Sequence, residues 1–575
     1  MRILLLVEGF NSLSQRLYVE LARDGHELSL ELDIHERVTH EAVDLFQPDL
    51  ILAPFLKRAI PASIWQRQMC LIVHPGPPGD RGPAALDWAI LRGVPTWGVT
   101  VLQAEAQLDA GPVWASASFQ MRSARKSSLY RNEVTECAVL AVRAALARIT
   151  AGTGPPPDLG GSWEHGWQPP MRQLDRAIDW GRDDTATVLR KIHSADGFPG
   201  VEDLLFNRRF RLFDAHSEGC LAGRPGMIIA RRHGAICRAT RDGAVWIGAL
   251  QPADAAQRSF KRPAVLALGA PAEALPRSEG EKPLDGGGAS GYRDIRYEER
   301  GAVAYLHFDF YNGALSTGQC ERLRAAYAQA RRRPTRVIVL TGGPDFWSNG
   351  MHLHCIEAAD SPADASWANI NAIDDLARDI LTTDTHLTIA ALQGNAAAGG
   401  VFLALAADRV LARNGIVLNP HYRSMGNLHG SEYWTYLLPR RVGTEQACAI
   451  MTRRLPLGAP EARTLGLIDE YAGPAVVSFH ALVDAWADSL AHSNRFTHTL
   501  AEKCTQRARD ERARALADYR TEELGRMRMN FYGFDPSYHI ARHRFVHRTP
   551  HAWTPLHLAQ HRRLGFTGRR ETATA

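Results

Sequence analysis

Long apolar runs are missing from this chain of 575 residues. No stretch approaches the roughly 18 consecutive apolar residues of a membrane-spanning helix. The apolar opening, Ile3 to Val7, is broken by Glu8, so it falls short of the roughly 7–15-residue core of a secretory signal. Paired cysteines are missing too. The eight present, at positions 70, 137, 220, 237, 320, 355, 448 and 504, show no paired spacing, and are expected as reduced, mostly buried thiols of a cytoplasmic protein. Net charge is only +5, which argues against a dedicated nucleic-acid binder.

Apolar residues make up 45% of the chain, enough to bury several cores. At roughly 150 residues per domain, three or four domains are expected. The charge is unevenly spread: Arg495 to Ala575 holds sixteen Lys/Arg against eight Asp/Glu. Such a basic end suits phosphate groups, an acidic partner or plain solvation, and its last ten residues are expected to be disordered.

The first 160 residues alternate strand and helix signals. Ile3–Val7, Leu28–Leu32, Asp49–Ala53 and Leu71–Val73 predict buried strands of a parallel sheet with helices on both faces. Leu13, Leu17 and Leu21 mark the first helix, with Ser12 or Ser14 as its cap and Gly25 as its stop. Ligands in such sheets sit beyond the carboxyl ends of the strands, where His74 lies. Its segment His74-Pro-Gly-Pro-Pro-Gly-Asp-Arg-Gly82 is a shaped Gly/Pro loop. Asn11, Ser12, Gln15 and Arg16 stand at the first helix start, which suits an anion through free N–H groups and the helix dipole.

With Trp97-Gly-Val-Thr-Val-Leu-Gln103 and Leu108-Asp-Ala-Gly-Pro112, this pattern resembles the formyltetrahydrofolate-using formyltransferases and hydrolases. The resemblance implies a Rossmann-like domain over 1–160, 10-formyltetrahydrofolate as substrate, His74 and Asp109 as catalytic residues, and Arg131 near the anion site. The family's catalytic Asn falls on Ile72, which puts ordinary transfer to an amine in doubt. An Asp–His pair still orients an imidazole and accepts a thiol or water proton. Ile178-Asp-Trp180, Phe198-Pro-Gly200 and Gly248-Ala-Leu-Gln251 resemble the same family's small barrel-like (OB-like) C-terminal domain, expected over 165–270. Its short strands are expected at Phe210–Asp214, Gly226–Ile229 and Ala244–Ile247. A Pro/Gly/Ser-rich linker is expected over 271–293.

From 294 to 480 another α/β pattern follows. Gly342-Gly-Pro-Asp-Phe-Trp-Ser-Asn-Gly-Met-His-Leu353 and Gly394-Asn-Ala-Ala-Ala-Gly-Gly400 both follow strands, and their small residues let backbone N–H groups approach a ligand. These loops resemble the enoyl-CoA hydratase/isomerase (crotonase) superfamily. The resemblance implies coenzyme A as the carrier and the N–H groups of Met351 and Gly399 as oxyanion donors. The two hydratase glutamates, however, fall on Phe402 and His421, which makes hydration improbable. Tyr422 and Glu432, in Asn419–Trp434, remain as acid/base candidates. A structural alternative pairs Glu432 with an arginine such as Arg440 and makes Tyr422 a core residue. His352-Leu-His-Cys355 has metal-ligand residue types, but no convincing further ligands, so no metal is expected. Residues 481–528 are expected to be helical, with a break at Met527–Pro536, and 481–575 to form a helical, basic extension.

The whole arrangement, α/β and multidomain, resembles the HypX/HoxX-type hydrogenase maturation proteins. That resemblance implies formyl transfer to coenzyme A, then decarbonylation to carbon monoxide for a [NiFe]-hydrogenase, with small-molecule substrates, other maturation proteins as partners and no membrane. Two other classes stay open: a hydrolase releasing formate, and a non-catalytic CoA- or folate-binding scaffold.

Overall fold

Residues 1–157, 166–254, 259–278, 291–563 and 565 are described by the computed structural model. They form two units, one of residues 1–215 with the segment from Pro550, the other of residues 216–549. The expected linker lies mostly outside the described residues, as do the last ten. Its first part is ordered: Ala270–Glu273 is helical and Arg277 bridges to Arg231.

In the first unit, the fully buried run Ile3–Val7 lies in the second strand of a six-stranded sheet. The order is Glu27–Leu32, Arg2–Val7, Leu50–Phe55, Cys70–His74, Thr96–Gln103, Val113–Gln120. The first four strands are parallel, as expected. The last two run antiparallel, which departs from a purely parallel sheet. The link 104–112 is too short for a parallel crossover, which needs about a dozen residues or more, so Thr96–Gln103 and Val113–Gln120 must form a hairpin. Leu13, Leu17 and Leu21 are all buried along one face of the helix Ser12–Arg23. Its cap is Asn11, not Ser12 or Ser14: the Asn11 side-chain Oδ1 accepts from the Ser14 N–H at 3.0 Å. Ser14 faces inward instead and is fully buried.

The tail is shared differently from the expected continuous extension. From Pro550 onward the chain covers the exposed edge of Glu27–Leu32, a common way to blunt an edge strand. Leu30 N–H donates to Leu558 at 3.1 Å and Leu32 N–H to Thr554 Oγ1 at 2.9 Å. Buried Glu31 accepts from both His561 and Arg562 at 2.9 Å.

The second unit begins with short antiparallel strands, Ile228–Arg232, Ala235–Ala239 and Ala244–Pro252, around buried Trp246. Its main sheet has the order Ile295–Arg300, Val303–Phe308, Val337–Thr341, Leu387–Leu392, Arg409–Arg413, Glu470–Ala472. All neighbours after the first hairpin are parallel. A smaller sheet, Phe346–Ser348, Asn395–Ala397, Val417–Asn419 and Leu457–Gly458, carries the two Gly-rich loops side by side. Helices Val476–His492, Phe496–Ala513 and Leu516–Tyr532 follow. The last of these runs through Met527, so the expected break starts later, at Gly533, and Ser537–Val546 is helical again. Leu516, Leu524, Met527 and Phe531 are buried in the core of this unit, and their burial holds the helix past the polar break.

Candidate functional sites

In the first unit, His74 ends its strand with its ring buried. Its Nε2 lies 2.8 Å from Asp80 Oδ2 and its Nδ1 3.7 Å from Asp109 Oδ2. The two expected residues are thus brought together, and a third carboxylate joins them. Asp80 is buried, and desolvation pushes its carboxyl up, against the lowering pull of the His74 hydrogen bond. Asp109 sits at φ 53°, held there by accepting the Gly82 N–H at 3.0 Å. The loop packs tightly: a Cβ on Gly76 would stand 2.3 Å from Asp80 Oδ2 and 2.6 Å from His74 Nε2. Trp97 Nε1 and Thr100 Oγ1 each donate to this loop's carbonyls at 2.8 Å. An imidazole placed between two carboxylates is fixed in orientation for proton transfer.

Around the first helix, Ser12 opens the helix and Gln15 Nε2 donates to the Phe10 carbonyl at 2.8 Å. Arg16 turns inward, 2.9 Å from the buried Glu20 carboxylate, and is 5% exposed. It is therefore engaged by the protein, unlike its expected role at an anion. Arg131 lies in a π-helical turn, Tyr130–Val134, whose first residue hydrogen-bonds to the Asn11 side chain. Such turns recur at functional sites.

In the second unit, the two Gly-rich loops meet. A Cβ on Gly350, at φ 76°, would stand 3.5 Å from Gly399 N. Among the described residues no backbone acceptor takes the Met351 or Gly399 N–H. Ala398 is held at φ 48°, ψ −129°, a strained conformation of the kind that clusters at active sites. Both N–H groups can therefore serve an anionic oxygen.

Glu432 packs directly against this point: a Cβ on Gly399 would stand 2.1 Å from Glu432 Oε1. Tyr422 donates its hydroxyl to Glu432 Oε2 at 2.5 Å, and the hydroxyl oxygen also lies 2.9 Å from the Ser431 carbonyl oxygen. Both residues are buried. The Tyr422 ring stacks on Phe402, at 5.4 Å and 17°, and on Gly430. Phe402, where the resemblance places a hydratase glutamate, thus backs the Tyr422 ring. Arg440 is engaged elsewhere, by the Tyr436 hydroxyl at 2.6 Å and Asp510 at 3.4 Å, so it does not neutralise Glu432.

Two residues overlooked in the sequence complete the site. Asp374 accepts the Glu432 N–H at 2.8 Å and the Ser431 hydroxyl at 2.7 Å. Glu523 accepts the Tyr433 and Thr435 N–H groups at 2.9 and 2.8 Å. Together they hold Glu432 and Tyr433 at φ 60° and 59°, which non-glycine residues adopt at a penalty. Burial and the neighbouring Asp374 push the Glu432 carboxyl far above its ordinary value. Burial raises Asp374 to about 6 and Glu523 to about 8. Burial and the neighbouring carboxylates thus favour the protonated form of Glu432.

His352 acts as a helix cap, its Nδ1 accepting the Cys355 N–H at 3.2 Å. Burial lowers His352 to about 4 and His354 to about 3. Among the described residues, these two histidines and Cys355 do not converge as a ligand set, and none of the described helices is long and apolar enough to cross a membrane.

The comparisons divide the chain as its sites do. The family model Formyl transferase matches residues 15–144, Formyl transferase, C-terminal domain matches 170–261, and Enoyl-CoA hydratase/isomerase matches 298–531. A hydrogenase maturation factor HoxX from Bradyrhizobium diazoefficiens is 56% identical over 563 residues, covering 98% of this chain and 97% of that one. The crystal structure of HypX from Aquifex aeolicus in complex with tetrahydrofolic acid is 48% identical, with a TM-score of 0.95, covering 99% of this chain and 100% of that one. A methionyl-tRNA formyltransferase from Dechloromonas aromatica is 28% identical over 185 residues, 32% of this chain.

Proposed function

Because the chain belongs to the HypX/HoxX family of hydrogenase maturation factors, we propose that it makes carbon monoxide for the active site of a [NiFe]-hydrogenase. The substrates are 10-formyltetrahydrofolate and coenzyme A. In the first unit, His74 takes the proton of the CoA thiol as its sulfur attacks the formyl carbon. Asp80 and Asp109 hold the imidazole in place, and the proton passes to the departing folate nitrogen. Formyl-CoA and tetrahydrofolate result. Asn11, Ser12, Gln15 and Arg131 hold an anionic part of a substrate at the helix start, whereas Arg16 supports them through Glu20.

In the second unit, the Met351 and Gly399 N–H groups polarise the formyl oxygen. Each such donor typically contributes about 3–4 kcal/mol in a transition state. The Tyr422–Glu432 pair takes the formyl hydrogen as a proton while the C–S bond breaks, and gives a proton to the thiolate. The pair ends as it began, and the formyl carbon leaves as carbon monoxide with free CoA. The observation that carries this reading is the Glu432 carboxyl packed against Gly399 and bonded to Tyr422, whose ring stacks on Phe402. It supplies one exchangeable proton, where hydration needs two carboxylates.

The test supplies 13C-formyl-labelled folate to the purified protein with and without CoA, and counts carbon monoxide and formate. Labelled carbon monoxide that requires CoA is expected. Labelled formate without carbon monoxide would favour a hydrolase, and neither product would favour a binding scaffold. Maturation of a hydrogenase in air links the product to its consumer.

A further inference from the structure

We propose that Glu357, His543 and His547 form a binding site for a divalent transition-metal ion, of the class of Zn2+ or Ni2+. The three come from two separate stretches of one unit. Glu357 closes the short helix Leu353–Glu357, which directly follows the Met351 loop. His543 and His547 are four residues apart, so both face one side of the helix Ser537–Val546 and its end. Their ligand atoms all lie within 4.8 Å of one another. His543 Nδ1 is 2.7 Å and His547 Nε2 3.2 Å from the same oxygen, Glu357 Oε1. Ligands about 2.0–2.2 Å from a shared ion stand roughly 3 Å apart, so only small side-chain adjustments are needed.

The surroundings orient the donors. Arg542 Nε binds the other oxygen, Glu357 Oε2, at 2.7 Å, which turns Oε1 toward the histidines. Arg542 is held in turn by His539 Nδ1 at 2.8 Å, and His539 by the Phe531 carbonyl at 2.9 Å. Phe260 packs edge-on to the His547 ring at 5.0 Å. Partners behind the ligands set both orientation and basicity in metal sites. Glu357 and His547 are nearly buried, at 10% and 13%, while His543 is 58% exposed. Water can therefore supply the remaining positions from that side. Two imidazoles and one carboxylate suit Zn2+, Ni2+ or Cu2+ far better than Mg2+ or Ca2+. A metal here would tie the helix Ser537–Val546 to the helix behind the Met351 N–H.

The test uses untagged full-length protein, stripped with a chelator and titrated with Zn2+ and then Ni2+ by calorimetry, with metal content measured after dialysis. One ion per chain is expected, together with a rise in thermal midpoint. His543→Ala and His547→Ala should each weaken binding at least tenfold, and the double variant should abolish both effects. Because His543 is exposed, H543A tests the site without disturbing the fold, and circular dichroism of the metal-free variants should match wild type. No stoichiometric uptake would reduce the three residues to a hydrogen-bonded cluster and overturn the proposal. Uptake unchanged in the double variant would overturn it equally.

Discussion

Gly399→Ala tests the second site with the smallest possible change. The added methyl carbon would stand 2.1 Å from Glu432 Oε1, 2.5 Å from its carboxyl carbon and 2.9 Å from Oε2. Ordinary contact begins near 3.5 Å, so the carboxyl must retreat by about 1 Å. It has no room to do so cheaply, being buried and bonded to the Tyr422 hydroxyl. A displacement of about 1 Å at reacting groups costs on the order of 10²-fold in rate. Loss of the aligned Gly399 N–H adds on the order of 10²–10³. The effects share one cause and do not multiply fully, so a fall of 10²–10⁴ in carbon monoxide release from formyl-CoA is expected. Overpacking should lower stability by about 1–3 kcal/mol. Formyl transfer from folate to CoA, carried out in the first unit, should stay within twofold. Gly318→Ala is the control, since a Cβ there meets nothing within 4 Å in the helix Thr317–Ala330. Release within twofold of wild type in a folded G399A protein would refute the assignment of Glu432 and Gly399 to one site.

Other perturbations separate the remaining parts. Tyr422→Phe keeps the ring stacked on Phe402 but removes the donor to Glu432. Carbon monoxide release should drop 10- to 10³-fold, and stability by about 1–3 kcal/mol for the unpaired buried acceptors. Asp80→Asn should slow formyl-CoA synthesis about 10- to 10²-fold by loosening His74, leaving decarbonylation of supplied formyl-CoA unchanged. Glu523, at about 8 in the folded chain, stabilises the fold most below its unfolded pKa and loses that contribution as pH rises through about 8. The thermal midpoint should therefore fall between about pH 4.5 and 8.5, and Glu523→Gln should flatten that slope; equal slopes in both proteins would contradict the buried-carboxyl account.

Much of the architecture was legible because it rests on short-range signals. The run Ile3–Val7, the Leu13, Leu17 and Leu21 stripe and the strand Leu387–Leu392 all lie where apolar patterning places them. The antiparallel turn of Thr96–Gln120 was not, since periodicity gives an element but not its direction. Likewise, tail residues 550–563 carry no local sign that they cover a strand more than 500 positions earlier.

At the sites, residue types told less than neighbours. Asp80 stood within the His74 loop but had no partner until that loop folded back on the imidazole. Asp374 and Glu523 sit among other charged residues on their helices. Yet Asp374 lies on the stripe Ile370, Ile373, Ala377, Ile380, and Glu523 on the stripe Leu516, Leu524, Met527. A carboxylate on the apolar face of a helix is the signal that would have found both. Arg16 is the converse: its place at a helix start implied an anion, and the acid Glu20 one turn later took it instead.

The account stands most directly on one single-turnover measurement with 13C-formyl-CoA, comparing the wild-type protein with Glu432→Gln. The isosteric amide keeps the Tyr422 partner but cannot exchange the proton. Wild-type protein should place the label in carbon monoxide, and the variant should leave it in formyl-CoA, with release slowed by about 10²–10⁴. Label in formate from the wild type, or carbon monoxide released equally fast by the variant, would contradict the account.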